Sequence, residues 1–523
     1  MKKIYFTLGL LVLATFAMAY LYFSKQNVER SANELSLNAV AQQSGFVLSF
    51  ENDKSFYEIL SGQELLQDVL GEEKSSQLIA LKNTLVANAK LYHALADQKI
   101  YIGMVPAAGT DQIDYVLATQ FEADPKNIVS ALGKMLSNVQ RKPGQYDLSP
   151  NDSTHFVLGL KGNLLIISNA AQHVDNALNK QQKDIAFANY IQQQGRFNKN
   201  TLANLYLDFD HLPSLLKQIL NSNLTGELSI LNKQQAFASL SYNFSKEKIL
   251  LNGTTTIGQA NTYEALYTDM PAQQQTIVQL LPEKTANYTS YTLLDYNSWK
   301  KKFTSWLAAK KEDQRIAEHL SNLNQKYRLN LQQIFSSYFK DQLITFELNT
   351  GEKFGAICLK NGEKVNQLLL DLSADYATDV KIFKEPYIPY AFFGEPFKKF
   401  ERPFYTIIDN YLVMSNYASS IEVFLNSYNN NRLLTNTQSY INFSDQLPSA
   451  ATICYYVDLK NSVDIFGKNL KMPYYRQYLS KNGFRSYSAF AYQLTADKGK
   501  FQSNVLLYKK MAGMLETDTL KTN

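Results

Sequence analysis

The chain has 523 residues, 45% of them hydrophobic and 19% charged, which is enough for two or three cored domains and too apolar for a disordered chain. Its 52 basic and 47 acidic residues leave a formal net charge of +5 with no long Lys/Arg run. Tracking nucleic-acid phosphates needs a concentrated basic stripe, so no nucleic-acid partner is expected.

At the N-terminus, Lys2 and Lys3 precede an uncharged, mostly apolar run from Ile4 to Phe23. A run of about 20 residues is what a helix needs to cross the hydrocarbon core of a bilayer. The basic pair at its start sets the N-terminus inside, so residues 1–23 are expected to be a transmembrane signal-anchor with an extracytoplasmic body behind it. Ala17-Met18-Ala19 also has the small-x-small form of a signal-peptide cleavage site, which would release a secreted body. The apolar run continues through Tyr20, Leu21, Tyr22 and Phe23, which favours retention. A polar linker is expected over residues 24–42.

Beyond it, short β-rich runs alternate with helical spacings. KIYIGMV, YVLATQF, HFVLGL, NLLIIS, LANLYLDF, FASLSYNF and KILLNGTTT read as strands, while DPKNIVSALGKML, QHVDNALNK and LPSLLKQIL read as helices with Asp, Asn or Pro near their starts. Neighbouring strands joined by short polar turns such as KGN imply antiparallel pairing with helices packed on the sheet, an α+β class. The second half repeats the pattern in order. GNLLIISNAAQHVDNALN (162–179) matches DNYLVMSNYASSIEVFLN (409–426), LYLDFDHLPSLLKQIL matches YYVDLKNSVDIFGKNL, and AFASLSYNF matches AFAYQL. Collinear anchors at a nearly constant offset are the mark of an internal duplication. Two tandem modules are therefore expected, 43–257 and 284–510, with a Gln-rich connection over 258–283 and a frayed tail over 511–523.

The residues able to carry chemistry are few. Asp208, Asp210 and His211 in LDFDHL form an acid pair beside a His, yet the second copy has Asp458 followed by Leu459 and Lys460, with no His. Capping of helix-start amides fits both copies, and it fits Asp53 and Asp295 at the module openings as well. The five His show no zinc-binding spacing, and no nucleophile elbow, phosphate loop or dinucleotide fingerprint occurs, so neither a catalytic site nor a cofactor or metal is expected. Cys358 and Cys454 lie in apolar strand-like runs and read as small core hydrophobes, with a disulfide as the alternative outside the cytoplasm. Trp299 and Trp306, about two helical turns apart, are expected to face the core.

One segment stands apart. Lys381–Tyr405 mixes four prolines with many aromatics and is expected to be an extended loop rather than a helix. Tyr387, Phe392, Phe393 and Phe397, with Lys398 and Lys399, then form a surface for a partner or for lipid headgroups, unless the aromatics fold back on the core.

LPEKTANYTSYTLLDYNSW and QLPSAATICYYVDLKNSVDIF share a pattern: Leu-Pro, a few small residues, a strand, then an acid before a helix. This pattern resembles an uncharacterised bacterial family of single-pass, membrane-anchored envelope proteins that carry a domain of unknown function. The resemblance implies a periplasmic body and transfers no catalytic residues, and the first module departs from it with NAVAQQSGF in place of Leu-Pro. The expectation is a non-enzymatic binding or scaffolding protein of the cell envelope, with an envelope protein as partner. A carrier of a hydrophobic or lipid ligand is the alternative, and a hydrolase with a dispersed site the third reading.

Overall fold

The structure, a computed structural model, describes residues 34–53, 72–96, 98–179, 185–195, 201, 203–221, 236–243, 245, 247–258, 262–480 and 483–509. The expected anchor, the start of the linker, the helix expected after Asp53 and the tail lie outside these residues. Among the described residues no helix is long and apolar enough to cross a membrane. The fold is α+β with antiparallel strands, and the chain divides near residues 206 and 207 into two compact units.

The first unit holds β1 (Phe46–Glu51), β2 (Lys99–Pro106), β3 (Ile113–Gln120), β4 (Leu136–Lys142), β5 (Gln145–Asn151), β6 (Thr154–Lys161), β7 (Leu164–Ser168) and β8 (Ala203–Asp208). They lie in the order β8-β1-β2-β3-β7-β6-β5-β4. Every residue of β7 is buried, and so is all of β3 beyond Ile113. Burial without alternation means that both faces of these central strands are covered. Gly162 takes φ +57 in the KGN turn between β6 and β7, a conformation that costs a residue with a Cβ. The helix Ala171–Asn179 sits so close to β6 that a Cβ on Gly159 would lie 2.5 Å from Val174.

The second unit begins with the hairpin β9 (Ala236–Asn243) and β10 (Lys248–Ile257). The two-residue strand β11 (Gln273–Gln274) follows, with β12 (Thr285–Thr292), β13 (Phe339–Leu348), β14 (Lys353–Leu359), β15 (Ser373–Ala377), β16 (Val380–Phe383), β17 (Phe404–Ile408) and β18 (Tyr411–Ser415). The last four are β19 (Ala450–Ala451), which pairs with β11, then β20 (Ile453–Asp458), β21 (Tyr487–Asp497) and β22 (Lys500–Lys509). The sheet order is β9-β10-β22-β21-β20-β12-β13-β14-β18-β17-β16-β15. Trp299 and Trp306 lie on the helix Tyr296–Ala309 and are 0% and 3% exposed, core-facing as their spacing implies. Cys358 and Cys454 are buried free thiols. Burial pushes both up to about 12, so neither supplies a thiolate near neutral pH.

Three expectations need correction. Residues Glu34–Ala41, read as the end of a polar linker, form a helix that buries Leu37, Ala39 and Val40. Leu37 and Val40 are three residues apart, which is helical spacing, and a Cβ on Gly103 would lie 2.6 Å from Val40. The Gln-rich connection 258–283 is also core, burying Tyr263, Leu266, Tyr267, Ile277, Leu280 and Leu281 in and around two short 3-10 turns. Finally, the proline-aromatic segment contains the helix Ile388–Phe393 instead of being wholly extended, because Pro389 falls in the first turn, where an amide donor is not needed.

Candidate functional site

The helix Ile388–Phe393 decides between the two readings of the proline-aromatic segment, a surface for a partner or rings folded back on the core. Phe392, Phe393 and Phe397 are 0%, 1% and 0% exposed and pack against Phe335, Phe339 and Tyr296, so they offer no surface. A partner or lipid headgroup cannot reach rings that already fill the core. Tyr387 is 40% exposed. Lys398 lies near Glu312 and Glu395 in a surface ion-pair network, and Lys399 has its ammonium 5.5 Å from the Phe400 ring centre. The six residues therefore separate into a buried group and a solvated rim.

The Asp208, Asp210 and His211 constellation closes a turn. Asp208 Oδ1 accepts from the Asp210 amide at 3.0 Å, and its Oδ2 lies 2.6 Å from His211 Nδ1. That hydrogen bond, opposed by burial, raises the imidazole above its ordinary value. Asp458 does the equivalent work for the Asn461 amide at 2.8 Å, without a His. Asp295 caps the helix Tyr296–Ala309 by accepting from the Asn297 amide at 2.9 Å.

A buried dyad that the sequence reading missed joins the helix Ala171–Asn179 to β3. His173 Nε2 lies 3.0 Å from Asp114 Oδ2, and Asn169 Nδ2 donates to Asp114 Oδ1 at 2.8 Å. Burial alone would raise Asp114, but these two hydrogen bonds and the His173 charge hold it below the usual carboxylate range. His173 also faces Gln43 Oε1 at 3.3 Å, and the imidazole is 4% exposed. The cluster is satisfied and enclosed, so it fastens elements together.

A cleft of about 520 Å³ in the second unit is lined by Thr276, Lys340, Lys360, Asp409, Tyr411 and Tyr428, with Cys358, Leu359 and Asn410 completing it. Strand pairing assembles it. The register sets Phe339 opposite Leu359, which brings Lys340 at the start of β13 near Lys360 just past the end of β14. The Asp409-Asn410 turn between β17 and β18 is placed beside them by the pairing of Cys358 with Tyr411. Tyr428, on the helix Ala418–Asn429, donates to Asp409 Oδ2 at 2.7 Å. Asn410 Oδ1 accepts from the Gly362 amide at 2.9 Å. Neither Lys340 nor Lys360 is in an ion pair with a described residue, whereas Asp409 is already engaged. Burial also raises Tyr411 above its ordinary value, so its hydroxyl remains a neutral donor. Two ammonium groups and neutral hydroxyls, beside a carboxylate already bonded to Tyr428, suit an anionic group, a carboxylate or a phosphate. Among the described residues no group of three or more His, Cys, Asp or Glu is arranged to hold a metal ion.

No protein-family model matches the chain, and no curated protein matches it either. Among solved structures, one described as "Structure of crystal form III of TP0453" is similar to 43% of this chain over 81% of its own length, at 11% identity and a TM-score of 0.25. At that degree of overlap the likeness carries no argument about this chain.

Proposed function

We propose that the chain is a membrane-anchored, extracytoplasmic binding protein of the cell envelope, non-enzymatic, whose body is one α+β module present twice. The duplication is supported by strand order. The first unit runs β8-β1-β2-β3-β7-β6-β5-β4, and strands in matching chain positions of the second run β20-β12-β13-β14-β18-β17-β16-β15. Side chains follow: Ser168 Oγ donates to Tyr115 O at 2.7 Å, and Ser415 Oγ, from the matching Ser-Asn pair, donates to Lys353 O at 2.8 Å. The anchor rests on the apolar run Ile4–Phe23.

The observation that carries binding is the polar cleft with its two lysines, neither in an ion pair with a described residue. It favours an anionic ligand, or an acidic side chain of an envelope partner, over the hydrophobic cargo of a carrier, since the phenylalanines that would line an apolar cavity are packed against one another. A polar cleft is also what a hydrolase needs. Here Asp409 is tied to Tyr428 and the Cys358 thiol is held protonated, so the described lining residues offer no activated nucleophile.

The test is thermal unfolding of the full chain with inorganic phosphate or citrate, beside the Lys340→Ala/Lys360→Ala variant. Either anion is expected to raise Tm of the wild type, by an amount equivalent to about 2.7 kcal/mol at a hundredfold excess over Kd, and to leave the variant unmoved. An equal rise in both proteins, or none in either, sinks the cleft as the binding site.

A further inference from the structure

The last hairpins of the two proposed copies, both within the second unit, meet strand to strand. β10 pairs antiparallel with β22, with Asn252 opposite Asn504, and Asn252 Nδ2 donates to Asn504 Oδ1 at 2.5 Å. The two asparagines hold matched places. In the first hairpin Leu251, Asn252 and Gly253 face Tyr242, Ser241 and Leu240; in the second Ser503, Asn504 and Val505 face Leu494, Gln493 and Tyr492. A shift of 252 in residue number carries the first register onto the second, one residue short of the offset between AFASLSYNF and AFAYQL.

A second contact repeats the pattern. Leu220 bridges Leu470, the Asn221 amide donates to Asn469 O at 2.8 Å, and the Lys471 amide donates to Ile219 O at 2.8 Å. Under the alignment of LYLDFDHLPSLLKQIL with YYVDLKNSVDIFGKNL, these two hydrogen bonds are one bond made twice. The flanking helices end alike, the Leu220 amide on Leu216 O and the Leu470 amide on Phe466 O, which are also matched positions. Contacts in which residue i meets j while the match of j meets the match of i define an isologous interface, the kind a two-fold axis generates.

We infer that the segments around Leu220 and β9–β10, and those around Leu470 and β21–β22, are the two halves of a self-complementary association surface, closed within one chain. It rests on the duplication proposed above. The partner that this surface fits is a second copy of the module. An exposed β10 or β22 would present a row of unpaired amides and carbonyls, and pairing the two edges satisfies both. The symmetry is local and imperfect: a Cβ on Gly253 would lie 1.9 Å from Ser239 O, while the matched position carries Val505.

A reciprocal substitution cycle on the full chain tests the inference. Asn252→Asp/Asn504→Asp, which sets two carboxylates face to face, is expected to lower Tm by about 2–4 °C. Asn252→Asp/Asn504→Lys and Asn252→Lys/Asn504→Asp are then both expected to recover it, because a two-fold axis makes the orders equivalent. Recovery in one order only overturns the two-fold surface and leaves the matched strand orders behind the duplication untouched. A double-aspartate variant that leaves Tm unmoved overturns it as well. The phosphate response of the same proteins is read separately, so a lost response beside an intact cycle counts against the cleft alone.

Discussion

Replacing Glu264 with glutamine is expected to stabilise the second unit at pH 8 by up to about 3 kcal/mol and to leave it unchanged at pH 4. Glu264 sits in the 3-10 turn Glu264–Tyr267, 6% exposed. Burial, chiefly, pushes its carboxyl from 4.5 up to about 7; its own backbone amide opposes the rise, the charge of Glu395 adds to it, and Lys310 opposes it. Between those two pH values the folded state keeps a proton that the unfolded chain has released. Stability from this group is therefore complete below about 4.5 and is lost as pH rises through about 7. Glutamine has no proton to lose, so the loss disappears with the carboxyl.

Lys300 tilts the profile the other way. Its ammonium donates to Ala391 O at 2.5 Å over the Phe303 and Phe392 rings, and burial lowers it from 10.5 to about 7. Here the unfolded chain holds the extra proton, so stability rises with pH between those values. Wild-type Tm is expected to pass through a shallow minimum near neutrality, and Glu264→Gln to remove its acidic limb. Melting curves from pH 4 to 9 decide the matter, and a variant less stable than wild type at pH 8 would contradict the assignment.

The second large effect is expected from Trp299→Ala, at about 3–5 kcal/mol of lost stability. Trp299 is 0% exposed, stacks on Phe303 with centroids 5.0 Å apart, and touches Tyr296, Tyr267 and Tyr263 at 5.9, 6.0 and 6.4 Å. Rings on several sides cannot all collapse into the space left behind, so a cavity term adds to the lost transfer energy. Tyr417→Ala, at a position 69% exposed, is the control and should stay within about 0.5 kcal/mol of wild type. Chemical denaturation of the three proteins measures both, and a small loss at Trp299 would mean that the aromatic cluster is not a packed core.

Elements with a regular period were legible in the sequence. Trp299 and Trp306 declare a helix face, and Cys358 and Cys454 declare apolar strands, because each sits in a pattern that local geometry fixes. The proline-aromatic segment has no such period. Whether Phe392 and Phe393 point to solvent or core depends on Pro389 starting a helical turn and on the distant Phe335 and Phe339 receiving the rings. Buried tyrosines hid inside a Gln-rich stretch because composition averaged over 26 residues conceals Tyr263 and Tyr267. The cleft was not legible for a topological reason. Lys340, Lys360, Asp409 and Tyr428 are unremarkable surface residues in sequence, and only the β13–β14 and β14–β18 pairings gather them. The one local signal was that Lys340, Lys360 and Asp409 sit at strand ends and turns, where binding groups are commonly displayed.

Whether the body lies outside the inner membrane, as proposed, can be read directly. Cys358 and Cys454 are buried, so an added surface cysteine at the exposed position Glu422 becomes the reporter. In cells expressing the full-length Glu422→Cys chain, with the outer barrier permeabilised and the inner membrane intact, a membrane-impermeant maleimide is expected to label the variant and not the wild type, with the labelled chain resisting alkaline extraction from membranes. Labelling that appears only after the inner membrane is lysed would contradict an anchored, extracytoplasmic binding protein.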